Sequence, residues 1–314
     1  MTAGELGRRV GGAVLVVLLV SVLAALLVNL VPGDAASVIA GEAATEEQLA
    51  AIRERLGTDQ PIYLQYSNWV GDVLSGDLGT SLITDRPVLD LLLVAAPPTL
   101  TVTALASLLA VVVGIGLGAV AGIRRGSITD RVASLVSTLG IAMPSFWVGL
   151  ILVSVFAFTF RLLPATGYVG LADGAGPWLV HALLPATALG LATAAEIARQ
   201  TRSGVSDVFD RPYIKTARAK GVPTGRLLRR HVARNAAIPV VTVLGLQIGR
   251  LLGGVIVIES VFGIPGLGTL AVSAVLSRDL PVIQGYILLI TLVVVAINFA
   301  VDLTYRWIDP KVQA

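Results

Sequence analysis

Arg250 and Glu259 lie inside a stretch otherwise apolar enough to cross a membrane. A charge at the centre of a bilayer costs about 2.5–3.5 kcal/mol on insertion scales, so such residues are candidates for a pathway or a gate. Nine residues at 100° each turn the two side chains to opposite faces, which excludes a pair within one helix. Glu259 stands near the end of its stretch, beside Phe262 and a Pro265–Gly266 turn, and suits an outer gate. Arg250 suits the lining of a pathway. For both, the plainer alternative is a contact with a neighbouring helix. Asn298 and Asp302 share one face of the last apolar stretch, where packing across helices is the expected role.

A second group of polar residues is basic. Segment 196–235 holds ten Lys and Arg against three acids. Within it, Asp210 and Pro212 stand where a helix would begin, because proline loses no hydrogen bond in a first turn. Gly221 ends that helix, Lys220 complements its C-terminal dipole, and Pro223 prevents its continuation. The spacing therefore predicts a short helix over 211–221, about 15 Å long. Its side chains are Tyr213, Ile214, Lys215, Thr216, Ala217, Arg218, Ala219 and Lys220. Such a helix is marginal alone. It is either held between the membrane and a cytoplasmic partner or is an ordinary basic loop, and composition leaves both open.

Other chemistries are poorly served. With no cysteine there is no thiol nucleophile, disulfide or thiolate metal site. His181 and His231 are 50 residues apart and read as no metal cluster. A phosphate-cradling loop needs Gly-Lys-Ser/Thr, and Lys215, Lys220 and Lys311 each follow a residue other than glycine. No catalytic residue is read, and paired carboxylates inside the spans are lacking, which disfavours a membrane-embedded enzyme. Aromatic residues are 5% of the chain, too few for a nucleic-acid stacking platform.

These groups must be positioned by membrane helices. Mean hydropathy is +0.85 and only 14% of residues are charged, too few for the surface of a soluble domain this size. Six apolar stretches approach the roughly 20 residues needed to span a bilayer. They cover 10–31, 99–123, 132–160, 178–195, 236–261 and 282–307, the third interrupted by Pro144, which predicts a kink. The first exceeds a signal-peptide core and is expected to be retained. The expected fold is all-α and polytopic, with six transmembrane helices.

Loop charge sets the orientation. The turn 124–131 has three arginines against one acid, whereas 32–96 has ten acids against three arginines. Both termini are therefore expected in the cytoplasm, with 32–96 and the loops 161–177 and 262–281 outside. The organisation read from this is 1–31 as N-terminus and first span, 32–96 as an extracytoplasmic segment, 97–307 as the core domain, and 308–314 as a cytoplasmic tail. Segment 32–96 is expected to be partly helical. Thr45 and Gln48 form a capping box opening a helix that Gly57 closes. Tyr63, Tyr66, Trp69 and Val70 form a second apolar stripe, suited to the membrane surface or a partner.

The stretch YIKTARAKGVPTGRLLRRHVARNAAIP, 213–239, closely resembles the cytoplasmic loop of ATP-binding-cassette (ABC) importer permeases, in particular the dipeptide/oligopeptide branch. IARQTRSGVSDVF at 197–209, IESVFGIPGLG at 258–268 and SRDLPVIQG at 277–285 fit the same branch. LGTDQPIYLQYSNWVGDVLSGDLGTSL, 56–82, is similar to the first of its two permeases, the B component. The general importer loop carries Glu-Ala-Ala where this chain has Lys215, Thr216 and Ala217, a departure that narrows the branch.

The resemblance implies a permease that forms half of a translocation pathway with a second homologous, C-type permease. Two ABC ATPase subunits or domains would bind ATP and magnesium, with no cofactor in this chain. An extracytoplasmic binding protein would deliver substrate, and the setting would be a bacterial cytoplasmic membrane. The 211–221 helix would be the coupling helix, docking in an ATPase cleft. Tyr213 and Ile214 would anchor it there, Lys215, Arg218 and Lys220 would add polar contacts, and Ala217, Ala219 and Gly221 would allow close approach. Arg250 would face the pathway or the other permease. Peptides are the implied cargo, with nickel, glutathione or another small solute as alternatives. A stand-alone secondary transporter is the competing class, but six spans are few and no internal repeat is evident.

Overall fold

A computed structural model describes residues 3–30, 36, 44–56, 59–227 and 233–308. The described residues are mostly helical, without strands beyond one isolated bridge between Thr80 and Pro87. Among the described residues four helices are long and apolar enough to cross a membrane, and two broken pairs raise this to six if each pair is one span. The chain divides into two compact units: Met1–Pro97 with Gly266–Val295, and Pro98–Pro265 with Ala296–Ala314.

In the first unit, helix α1 (Ala3–Leu30) keeps Val14, Leu15, Leu19 and Leu23 about half exposed, as a lipid-facing helix does. Helix α2 (Glu46–Leu56) opens on the expected capping box: Thr45 N–H donates to Gln48 Oε1 at 3.0 Å and Gln48 N–H to Thr45 Oγ1 at 3.4 Å. Gly57, its expected stop, lies outside the described residues. Helix α3 (Ile62–Ser75) packs on α1, where Tyr66 Oη meets Ser21 Oγ at 2.8 Å. Part of the aromatic stripe thus serves the chain itself, while Tyr63 stays exposed.

Helix α4 (Val88–Ile123) starts eleven residues before the expected span, so nine residues assigned to the outer segment are helical. Its first turns pack with helix α11 (Leu267–Ser277) and the start of helix α12 (Leu280–Ile308) around Val88, Leu92, Ala274 and Val282. The expected 262–281 loop is therefore largely helix. Its apolar run is too short to read as a span, but it has a buried face to pack. Asp279, just beyond α11, accepts from Ser81 Oγ at 2.5 Å and from Leu82 N–H at 3.1 Å, tying down the loop before α4.

The second unit is built on helix α7 (Ala175–Phe209), on which α5 (Ile128–Ala142), α6 (Ser145–Leu152) and α10 (Ala233–Phe262) all pack. At about 52 Å, α7 exceeds a bilayer core by several turns, so one end projects beyond it. The later turns of α4 lie against α7 backbone to backbone. A Cβ on Gly118 would stand 2.4 Å from the Ala198 carbonyl oxygen, and Gly114 and Gly122 make similar approaches one turn away on either side. Small residues four apart allow membrane helices this proximity.

The kink expected at Pro144 is a break. Helices α5 and α6 meet at 108°, with Met143 extended (φ −82°, ψ 127°) as the residue before a proline prefers. Helix α6 continues through π-helical turns over Val153–Thr159. Its Val148 joins Val102, Leu189, Leu251, Ile258 and Phe262 in the principal core.

Candidate functional site

The short basic helix exists as α8 (Pro212–Ala219), with proline in its first turn. Gly221 adopts φ +78°, and Val222 N–H returns to the Ala217 carbonyl at 3.1 Å. This left-handed stop is cheap for glycine because it has no Cβ. Thr216 Oγ1 donates back to the Pro212 carbonyl at 3.0 Å.

One face of α8 belongs to the chain's own core. Ile214 is fully buried with Val205, Val208, Phe209 and Leu227, and Ala217 packs against them. Leu227 comes from helix α9 (Thr224–Leu227), which closes the cluster from the other side. The opposite face presents Tyr213, Lys215, Thr216, Ala219, Lys220 and Gly221 to solvent; the Arg218 side chain lies outside the described residues. Ile214 therefore anchors the helix inward, and Tyr213, 43% exposed, is the apolar group left on the outer face.

The mount under α8 extends to the corner joining α4 and α5. Ile123 packs on the α8 cluster. Ser206 Oγ donates to the Gly122 carbonyl at 3.4 Å, and Arg125 Nη1 donates to Asp210 Oδ2 at 2.6 Å. Arg202 clasps Asp130 with two bonds, Nε to Oδ1 at 2.5 Å and Nη2 to Oδ2 at 3.0 Å. Asp130 also accepts from Gly126 N–H at 2.9 Å, while its own N–H is capped by Ser127 Oγ. The Asp130 side chain is 5% exposed and that of Arg202 35%. Sequence reasoning counted Asp130, Arg125 and Arg202 only as loop charge. Arg202 and Asp130 are 72 positions apart, and no spacing rule joins them.

The two charges of α10 diverge as the helical wheel requires. Glu259 is fully buried and accepts from Thr99 Oγ1 of α4 at 2.5 Å. Phe262, 2% exposed, lies in the principal core under Gly149, and its carbonyl accepts from Gly167 N–H at 2.8 Å. Both sit in packed protein within this chain. Arg250 is exposed and lines a cavity of about 200 Å³ among α5, α6, α7 and α10. Ser145, Thr193, Glu196 and Gln247 share that lining with apolar residues including Leu189 and Leu251.

The second unit thus holds a short basic helix fastened to a helical bundle, and a cavity of mixed polar and apolar lining within that bundle.

The family described as "Binding-protein-dependent transport system inner membrane component" matches residues 114–314, and its N-terminal companion matches residues 5–103. A probable peptide ABC transporter permease of Sinorhizobium fredii is 40% identical over 306 residues, covering 98% of both chains. A putative peptide transport system permease of Brucella abortus is 41% identical over the same length and coverage. The glutathione transport system permease protein GsiC of Salmonella typhi is 42% identical, covering 98% of this chain and 97% of its own. The solved inward-facing MetNI methionine ABC transporter shares the fold, with a TM-score of 0.57 at 18% identity over 70% of this chain and 97% of that one. Its helices, its apolar surface and these full-length similarities together make the chain a multi-pass membrane protein that belongs to the inner-membrane permease components of binding-protein-dependent ABC importers.

Proposed function

We propose that this chain, with a second homologous permease of the C type, forms the pathway of an ATP-driven importer of di- and oligopeptides in a bacterial cytoplasmic membrane. Two ATPase subunits bind ATP and magnesium on the inner side, and an extracytoplasmic binding protein delivers cargo on the other. The alternation of basic and acidic loops supports both termini being cytoplasmic. The names of the relatives from Sinorhizobium and Brucella support peptides as cargo.

The observation that carries the coupling role is the two-sidedness of α8. Its inner face is locked to α7 through Ile214, and its outer face is polar and open. A helix so fastened moves with its mount as a rigid body when an ATPase subunit shifts it. The Arg202–Asp130 and Arg125–Asp210 pairs carry that displacement to the corner joining α4 and α5.

The test is reconstitution of the complete transporter with labelled peptide. Wild type takes up peptide with ATP. Gly221→Glu places a bulky anion at the end of the docking face and forces a side chain into φ +78°, so uptake falls at least tenfold. Stoichiometric ATPase binding with normal uptake in that variant would remove the coupling assignment.

A second cargo has specific support. The Salmonella relative named for glutathione matches as well as those named for peptides. Competition of labelled peptide uptake by glutathione separates the two, since only a glutathione importer is blocked at low micromolar concentration.

A further inference from the structure

We infer that the cavity between α7 and α10 is a subsite for the C-terminal carboxylate of a peptide in transit, with the Arg250 guanidinium as its counter-charge. The inference rests on the peptide-importer reading and names the chemistry of contact within it.

Charge balance is the first argument. Two ionisable groups line the cavity, Glu196 and Arg250. Glu196 is already neutralised: Arg199, one turn along α7, donates Nη2 to both carboxylate oxygens at 2.8 Å. Among the described residues Arg250 has no hydrogen-bond or ion-pair partner. The cavity therefore carries an unmatched positive charge in a helix where a charge is costly. A guanidinium so placed fits a planar carboxylate with two parallel N–H bonds.

Size and chemistry narrow the ligand. A volume of about 200 Å³ admits one terminal residue of a peptide and not a whole one. An importer of peptides differing in sequence must grip what they share, and the terminal carboxylate is the anionic group they all carry. Gln247 and Thr193 place an amide and a hydroxyl on the same lining, beside the apolar Ile141, Leu189 and Leu251.

The absence of cysteine from the chain allows a direct test. Ala192→Cys places a single thiol on the cavity wall, a small change at a half-buried position. The complete transporter carrying it is reconstituted in phosphatidylcholine, with and without phosphatidylglycerol. Maleimide labelling of this chain is followed with and without ATP and vanadate. Millimolar trialanine should slow labelling at least fivefold, its C-terminal amide should not, and Arg250→Gln should abolish the protection. Equal protection by acid and amide, protection by neither, or a thiol closed to reagent in both nucleotide states overturns the subsite. Protection that follows phosphatidylglycerol in place of peptide assigns the charge to a lipid headgroup and overturns it too. ATP-driven uptake of trialanine by the wild type is measured alongside. Uptake without protection removes the subsite alone, whereas absent uptake removes the peptide-importer reading for this cargo.

Discussion

Arg202 and Arg250 both sit on helices of the second unit and both reach the spaces around α7, yet they are treated oppositely. Arg202 is matched, two bonds to a buried carboxylate that also accepts from Gly126 N–H in the turn before α5. Arg250 has no partner among the described residues and is exposed at a cavity of mixed polar and apolar lining. A charge that the chain pairs for itself contributes to shape. A charge left open among helices contributes nothing to shape and is available to something that arrives. The difference separates the region around α8, proposed to couple to an ATPase, from the part proposed to meet cargo.

Four substitutions probe that division, in falling order of their effect on stability. Gly118→Val drives a branched side chain into the Ala198 carbonyl and should cost about 3 kcal/mol or more, seen as loss of folded permease in detergent. It tests whether the α4–α7 contact carries the mount. Asp130→Ala leaves Arg202 without its partner. Because the guanidinium keeps some water, the loss should be about 1–3 kcal/mol, with transport per ATP falling further than stability alone explains. A double-mutant cycle with Arg202→Gln should show coupling above about 0.5 kcal/mol. Additive losses would break the comparison at its first term.

Gly221→Ala should cost about 1 kcal/mol, because φ +78° disfavours any Cβ while open space surrounds the position. Thermal unfolding of the permease–ATPase complex measures it. Arg250→Gln should leave stability within about 0.5 kcal/mol, since no bond to the described residues is lost. A large destabilisation by Arg250→Gln would make this arginine structural and erase the contrast with Arg202.

Local signals were readable where a single turn of chain decides the outcome. Thr45 and Gln48 cap α2 as their spacing requires. Pro212 and Gly221 bracket α8 because one tolerates a first turn and the other a left-handed stop. Pro144 announced an interruption, but its size, 108°, depends on what α5 and α6 pack against. Glycines 114, 118 and 122, spaced four apart, are no part of the sequence reading, and nothing in that spacing names α7 as the partner.

The sequence by itself determined that this is a membrane-spanning helical protein, roughly where its helices run, and that a short basic helix interrupts it. Hydropathy and capping act over a few residues, so composition and spacing carry them. The tertiary structure alone decided that Ile214 faces inward, that Asp130 belongs to Arg202, that Glu259 is hydrogen-bonded to Thr99, and that Arg250 has no partner among the described residues. Which side chain meets which across 72 or 160 positions is fixed by how helices pack, and packing is a property of the whole chain.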